Sequence, residues 1–434
     1  MEIRNVVLVD AARSPFSRGG KGKLVATRLD EIGEKVLRAL LERNAKVGPA
    51  MVEEVGIGNV QGRGTEFSYL GNVQRLAGIP LEACSFHSNR QCGSSMETLH
   101  RIVMSIQLGH IDCGVAMGIE RMGRGLAGGA GETRVTKMTA RISEMNELQK
   151  APAADHGEYF SVEFPEYILE TPWLQNMPQT AQNVAEVYGL SRAELDAFAA
   201  ASHAKTDAAY AAGKYADEIV PFEVEDPIYD DDGNWLDAEQ GAMVSFERDE
   251  CIRPGTTEEK LAGLKPLRGI RSFADKEIVI TPGNSCPTND GASAALLMSE
   301  EKALQLGLEP LARIAAIAVG GVKPQLMGLG PVVSSKKAFA RAGITGEQVD
   351  RVEFNEAFAA QALPCIRELG LKPENVNVNG GSIAIGHPLG ATGARLVGTV
   401  GHELRRSRGK YALATQCIGA GMGISTVLES LDNG

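Results

Sequence analysis

"FHSNRQCGSSMETLHRIVMSIQLG", residues 86–109, followed by "CGVAMGIE", residues 113–120, reads as a strand, a tight glycine turn, a helix and a second strand. The helix follows from Met96, Leu99, Val103 and Ile106, whose 3, 4, 3 spacing draws one apolar face. The same succession returns near the other end of the chain, where "VNVNGGSIAIGHPLGATGARLVGTV" (376–400) leads to "YALATQCIGAG" (411–421). The stretches ahead of these correspond as well. An amphipathic segment from Leu29 to Leu41 leads through "MVEEVGIGNV" to a short strand, and "SSKKAFARAG" leads through "ITGEQVDRVEFNEAF" to another. Two copies of one α/β unit are therefore expected, packed sheet on helix on sheet with equivalent turns facing each other.

Between the copies the pattern changes. The segment 122–288 opens on the glycine-rich "GRGLAGGAGE" (123–132) and carries a helix pair, "TAQNVAEVYG" (180–189) and "RAELDAFAAASHAKTDAAYAAG" (192–213). The acidic "YDDDGNWLDAEQ" (229–240) reads as a solvated loop. With 434 residues, more than one hydrophobic core usually serves, three units are expected. They are 1–121 completed by about 289–310, an inserted loop domain over 122–288, and 311–434.

A net charge of -11 and a pI near 5.3 argue against a nucleic-acid surface, which needs clustered Lys and Arg. The seven cysteines are odd in number, form no C-x-x-C pair and lie mostly in apolar runs. Neither a disulfide framework nor a zinc site is expected, and a reducing, cytoplasmic compartment fits. "NVVLVDA" (5–11) leaves no room for a charged and then an apolar leader region, and no stretch reaches the length of a membrane span.

Four places carry residues suited to chemistry. Cys92 falls at or just before a helix N-terminus, where unpaired N–H groups and the macrodipole are expected to lower its pKa toward the thiolate. Gly93 beside it permits close approach, and the N–H groups of the turn suit a developing oxyanion. Free cysteines are also among the most buried residues, so Cys92 by itself reads first as structural, a reading that context must overturn. His387 sits in a glycine-dense turn ahead of a helix, although a lone histidine is more often a satisfied polar side chain. Asn355 and Glu356 follow the strand "RVEF" at once, an active-edge position of α/β sheets, with an N-cap role for Asn355 as the plain alternative. Cys417 ends a strand ahead of Gly419, Gly421 and Gly423, a spacing that is not G-x-G-x-x-G and opens no helix.

With these motifs in this order the chain resembles the thiolase family. The nucleophile signature stands as "NRQCGSSM", the Asn-Glu-Ala-Phe box as Asn355 to Phe358, the histidine loop as "GGSIAIGHPLGATGAR" and the second-cysteine loop as "CIGAGMG". "VDAARSPF", "RPGTTEEKLAGLKP", "TPGNSCPTNDGAS" and "MGLGPV" extend the resemblance over nearly the whole chain. It implies duplicated α/β halves in a five-layer α-β-α-β-α arrangement with an inserted loop domain. It further implies that Cys92 is the acylated nucleophile, His387 the base that takes its proton and Cys417 the second acid/base. One oxyanion hole would be His387 with a water held by Asn355. The other would be the backbone N–H groups of Cys92 and Gly419, with Glu356 in support. Met177 and Phe358 match positions lining the pantetheine tunnel, and Ser285 and Cys286 fall where a side chain meets the pantetheine arm. Cys286 occupies the usual place of a serine, and Ala420 that of a glycine.

The activity so implied is cleavage of 3-oxoacyl-CoA by CoA to acetyl-CoA and a shortened acyl-CoA through acyl-Cys92, reversible as a Claisen condensation. "NRQC", "YGLSRAELDAFA" and "MGLGP" look like the degradative 3-ketoacyl-CoA branch of β-oxidation. Asn176-Met177-Pro178 replaces the His-Met-Gly of the biosynthetic acetoacetyl-CoA branch, which stands as the alternative. A non-catalytic acyl-CoA-binding subunit is more remote. A ketosynthase-type enzyme would carry histidines in place of Asn355 and Cys417. CoA would be a substrate and not a resident cofactor, with no metal. The resemblance also implies a homodimer or homotetramer formed through the N-terminal half, and association with other β-oxidation enzymes.

Overall fold

A computed structural model of the chain describes residues 3–62, 70–123, 159–172, 175–233, 235–236 and 239–431. The first unit supplies β1 (Val6–Arg13), α1 (Leu29–Arg43), β2 (Glu54–Gly58), β3 (Cys84–Ser88), α2 (Ser94–Gln107) and β4 (Cys113–Arg121). A helix pair follows, α3 (Met177–Tyr188) and α4 (Arg192–Ala211), before the chain returns as β5 (Asn289–Ser299). The remainder is β6 (Ala312–Gly321), α5 (Gly330–Ala342), β7 (Arg351–Phe354), α6 (Ala359–Glu368), α7 (Thr392–Ser407), β8 (Tyr411–Ile418) and β9 (Met422–Glu429).

The strand order is β7-β8-β9-β6-β1-β5-β4-β2-β3, and the internal repeat is visible in its hydrogen bonds. β1 and β4 each pair antiparallel with β5, while β2 pairs parallel with both β4 and β3. In the second half β6 and β8 pair antiparallel with β9, and β7 pairs parallel with β8. A parallel bridge between Val352 and Val376 takes the place of the β2–β3 pair. The two halves join edge to edge through a short antiparallel contact, Val7 opposite Arg313 and Leu8 opposite Ala312.

Five layers result. α1 covers the outer face of the first half-sheet with Ile32, Val36, Leu37 and Leu40, and α5 covers the second with Val332, Val333 and Ala338. Between the half-sheets lie α2 and α7, packed on each other and on strands of both. Met96, Leu99, Val103 and Ile106, the predicted face of α2, share this middle core with Leu396, Val397 and Val400 of α7. Burial from both sides leaves no exposed residue in β4 or β5 and explains the apolar runs Val115–Ile119 and Ala294–Met298 within them.

The predicted helix pair is α3 and α4, and each helix has a local reason to start. Asn176 accepts from the Gln179 N–H, and Ser191 forms a reciprocal capping box with Glu194. Gly189, in the left-handed region at φ 62°, ends α3. The acidic stretch 229–240 departs from the loop reading in one respect. It links two strands of a small antiparallel hairpin, Phe222–Glu225 and Met243–Phe246, with a further bridge between Tyr229 and Trp235. Of the glycine-rich opening 123–132, all but Gly123 lies outside the described residues. Among the described residues no helix is long and apolar enough to cross a membrane.

Candidate active site

Cys92 stands in the turn between β3 and α2, and the turn is built to present it. Gln91 takes a left-handed φ of 48°, Gly93 is the N-cap, and the Ser94 hydroxyl accepts from the Arg90 N–H while donating to the Gln91 carbonyl at 2.6 Å. The turn rests on the end of β8. The Gln416 side-chain amide donates to the Cys92 carbonyl, and a side chain at Gly93 would run into Ile418. The backbone N–H groups of Gly419 and of Cys92 itself both reach the Cys92 sulfur. They pull its pKa down, yet burial wins and the thiol is pushed up to about 11. This corrects the expectation of a lowered pKa: at rest Cys92 is a neutral thiol.

His387 approaches from the opposite half in the turn before α7. The turn is pinned from β4 and β5, since the buried Glu120 accepts from the Gly390 N–H at 2.7 Å and Asn289 accepts from the His387 N–H at 3.0 Å. Gly118 on β4 and Gly393 leave room for this packing. A Cβ at Gly118 would strike the backbone of Gly390 and Ala391, and one at Gly393 would strike that of Met96. The His387 ring hydrogen-bonds Thr392 Oγ1 through Nδ1 at 2.6 Å and Asn355 Nδ2 through Nε2 at 3.3 Å. Burial, and secondarily the charge of Arg395, push its pKa down to about 3, so the imidazole is neutral.

Asn355 follows β7 and is wholly buried. It caps no helix, because the N-cap of α6 is Phe358, and its Oδ1 accepts from the Ser382 hydroxyl at 2.7 Å. Glu356 next to it is buried and hydrogen-bonded on both carboxylate oxygens. Its carboxylate accepts from Ser202 Oγ (2.7 Å), Asn377 Nδ2 (2.7 Å) and the Ile383 N–H (3.1 Å). A carboxylate donates nothing to an oxyanion, so Glu356 holds the 382–385 turn to α4 and β7.

Cys417 is buried on β8, and burial followed by the neighbouring Cys92, Cys365 and Cys286 thiols raises its pKa well above the usual thiol range. Cys286 is pushed up to about 12, by burial first and then by Cys92. Its N–H donates to the Ala357 carbonyl, and Ser285 bridges Phe358, so the 281–288 loop is strapped to the Asn355 turn. Phe358 and Met177 share one apolar cluster with Cys417, and the Met177 sulfur faces Gly419. The Ser285 hydroxyl is engaged with the Thr281 carbonyl at 2.7 Å. Beyond Ser285 opens a cavity of about 570 Å³, with Arg18, Arg253, Lys260, His203 and Ile383 in its walls.

Sequence reasoning overlooked Glu120, Asn289, Ser382, Thr392 and the buried Arg395–Glu353 pair. Glu120 carried a weak signal, as a lone acid closing the apolar run "CGVAMGIE". Its carboxyl is pushed up to about 7 by burial, against four donors from two loops, 59–61 and the one at Gly390.

The chain matches the family model for the N-terminal domain of thiolases over residues 6–301 and that for the C-terminal domain over 308–430. It is 37% identical over 431 residues to the 3-ketoacyl-CoA thiolase of Vibrio vulnificus strain YJ016, a match covering 98% of this chain and 100% of that one. The fold is similar to that of the Bacillus anthracis acetyl-CoA acetyltransferase, with 33% identity and a TM-score of 0.81 over 99% of this chain and 100% of the other. It is also similar to human mitochondrial 3-ketoacyl-CoA thiolase in complex with CoA, with 32% identity and a TM-score of 0.78 over 98% of each chain.

Proposed function

The chain belongs to the thiolase family, and on that premise we propose that it cleaves 3-oxoacyl-CoA with CoA, through an acyl group carried on Cys92. The observation that carries this reading is the meeting of both half-units at one sulfur, with the N–H groups of Cys92 and Gly419 directed at it. His387 Nε2, bearing a lone pair, takes the Cys92 proton as the thiolate attacks the keto carbon. The Cα–Cβ bond breaks, its electron pair leaves as the acetyl-CoA enolate, and Cys417 delivers a proton to that carbon. The protonated Nε2 and the Asn355 amide face the enolate oxygen while its charge lasts. CoA then enters and its thiol proton restores Cys417. The tetrahedral oxyanion on the acyl carbon rests on the N–H groups of Cys92 and Gly419. As the shortened acyl-CoA departs, Cys92 recovers its proton from His387.

With the thiol and the imidazole both neutral in the free enzyme, the proton leaves Cys92 only as the sulfur attacks the keto carbon. The cavity beyond Ser285 suits CoA: Arg18, Arg253 and Lys260 place three cations where an acyl-CoA brings its phosphates. Met177 and Phe358 then flank the pantetheine arm, and Cys286 lies beside it. We assign residues 1–121 and about 289–310 to the nucleophile-bearing unit, 122–288 to the CoA-holding insertion and 311–434 to the unit with Asn355, His387 and Cys417. β3 ends the sheet, and Leu81 next to it is 77% exposed. That edge fits assembly of a homo-oligomer through the first unit.

The test is thiolysis of short, medium and long 3-oxoacyl-CoA esters, with condensation of acetyl-CoA run alongside and intact-mass detection of the acyl-enzyme. The expected result is turnover with an acyl adduct that Cys92→Ser abolishes. CoA binding with no thiolysis of any ester, or undiminished turnover by Cys92→Ser, overturns the proposal.

A further inference from the structure

We propose that Ser382, held by the buried Arg395–Glu353 pair, is a positioning residue that fixes the Asn355 amide and through it the tautomer of His387. The proposal rests on the roles given above to His387 and Asn355. The direction of every hydrogen bond in the chain follows from one end. A guanidinium donates and never accepts. Arg395 gives Nη1 to Glu353 Oε2 at 2.5 Å and Nη2 to Ser382 Oγ at 2.8 Å, so the serine oxygen is an acceptor there. Its single proton is left for Asn355 Oδ1, 2.7 Å away. With Oδ1 so engaged, the NH₂ group of the amide faces His387 Nε2 at 3.3 Å, and a ring nitrogen opposite a donor carries its lone pair.

The other side of the ring gives the same answer independently. The Thr392 hydroxyl spends its proton on the Pro388 carbonyl at 2.8 Å and therefore accepts from His387 Nδ1 at 2.6 Å. Both ends of the network place the imidazole proton on Nδ1 and leave Nε2 free to take a proton. Without Ser382 the orientation of the Asn355 amide rests on the Thr392 end of the network alone. A flipped amide would set an oxygen against Nε2 and favour the Nε2–H tautomer, which is no base toward Cys92. The whole network is buried, from Arg395, Glu353 and Ser382 to Asn355, His387 and Thr392.

The test reads the tautomer without substrate. Protein labelled with ¹⁵N-histidine is examined by long-range ¹H–¹⁵N correlation at neutral pH, with the His387 signals identified by their loss in His387→Gln. The expected wild-type spectrum has a protonated Nδ1 and an unprotonated Nε2. Ser382→Ala should show the two tautomers mixed and Ser382→Thr should restore one. In thiolysis, Ser382→Ala is expected to lower kcat about tenfold or more, the equivalent of one buried hydrogen bond, with KM values within about twofold and recovery in Ser382→Thr. A wild-type Nε2–H tautomer, or a Ser382→Ala protein with unchanged spectrum and kcat, overturns the proposal. The wild-type spectrum decides even where a variant fails to fold. Undiminished thiolysis by Cys92→Ser would instead sink the functional reading and leave the spectrum to be judged alone.

Discussion

Replacing Gly118 by alanine should disable the enzyme from a position that holds no functional group. Gly118 lies near the end of β4, opposite Gly58 of β2 and Ser293 of β5. A Cβ there would lie 2.7 Å from both Ala391 Cα and the Gly390 carbonyl carbon, and closer still to the Gly390 carbonyl oxygen. Restoring ordinary contact of at least 3.4 Å moves that backbone by about 0.7 Å at the carbons and more at the oxygen, roughly 1 Å in all. The turn has little freedom to yield elsewhere, because Glu120 holds the Gly390 N–H and the Ser293 hydroxyl holds the Ala391 carbonyl. His387 is three residues from Gly390 and moves with it. A displacement near 1 Å costs on the order of 100-fold in rate, and overpacking costs about 1–3 kcal/mol of stability. The assay is kcat for thiolysis beside a urea unfolding curve, with Gly48→Ala as control because nothing lies within 4 Å of its Cβ position. A Gly118→Ala enzyme with wild-type kcat would refute the claim that this contact positions His387.

Three further outcomes follow from other parts of the structure. With its thiol pushed up to about 11, only about one Cys92 in ten thousand is thiolate at pH 7, so iodoacetamide inactivation of the free enzyme should speed up about tenfold per pH unit between pH 7 and 9. A plateau with a midpoint near pH 6–7 would show instead a standing thiolate–imidazolium pair. Ala420 holds a left-handed φ of 69°, so Ala420→Gly should stabilise the protein by about 1 kcal/mol, read as a higher urea midpoint; an unchanged or lower midpoint contradicts it. Arg13 is 1% exposed and bonds Glu218 and Asp249 at 2.7 Å each, so Arg13→Met should cost about 3–5 kcal/mol by stranding two buried carboxylates. Unfolding free energies within error of wild type would mean that those carboxylates are satisfied without it.

The repeat was legible because it is written in local signals: apolar spacing in α2, glycine at the turns, and strand ends bearing Cys92, Asn355 and Cys417. Those signals act over a few residues and survive in the sequence wherever the partner lies. What was not legible depends on pairings across the chain. Glu120 and Gly390 are separated by 270 positions, Asn289 and His387 by 98, and nothing local to either member names the other. The sign of the Cys92 shift was missed for the same reason. Sequence places the cysteine at a helix start, which lowers a thiol pKa, but the burial that outweighs it comes from elements as distant as β8. The small hairpin flanking 229–240 was hidden because its strands are only four residues each and half-exposed, too short for an alternating pattern to stand out.

The two kinds of information divide the site along a physical line. Groups expected to touch substrate sit on turns at strand ends, where backbone geometry constrains residue type strongly enough to leave a motif. Groups that orient them, Ser382, Arg395, Glu353, Thr392 and Glu120, are single polar residues in otherwise apolar or mixed runs, and all but Thr392 are held by hydrogen bonds from remote elements. Such residues face a steep penalty, because burying a polar group with one partner missing costs about 1–3 kcal/mol. Loss of one member therefore strands another, and the orienting chain behaves as a unit. Single substitutions along Arg395–Ser382–Asn355 should be strongly non-additive, with Ser382→Ala removing most of what Asn355→Ala can remove from kcat. A double variant whose loss equals the product of the two single losses would show that Ser382 acts on His387 by some route other than the Asn355 amide.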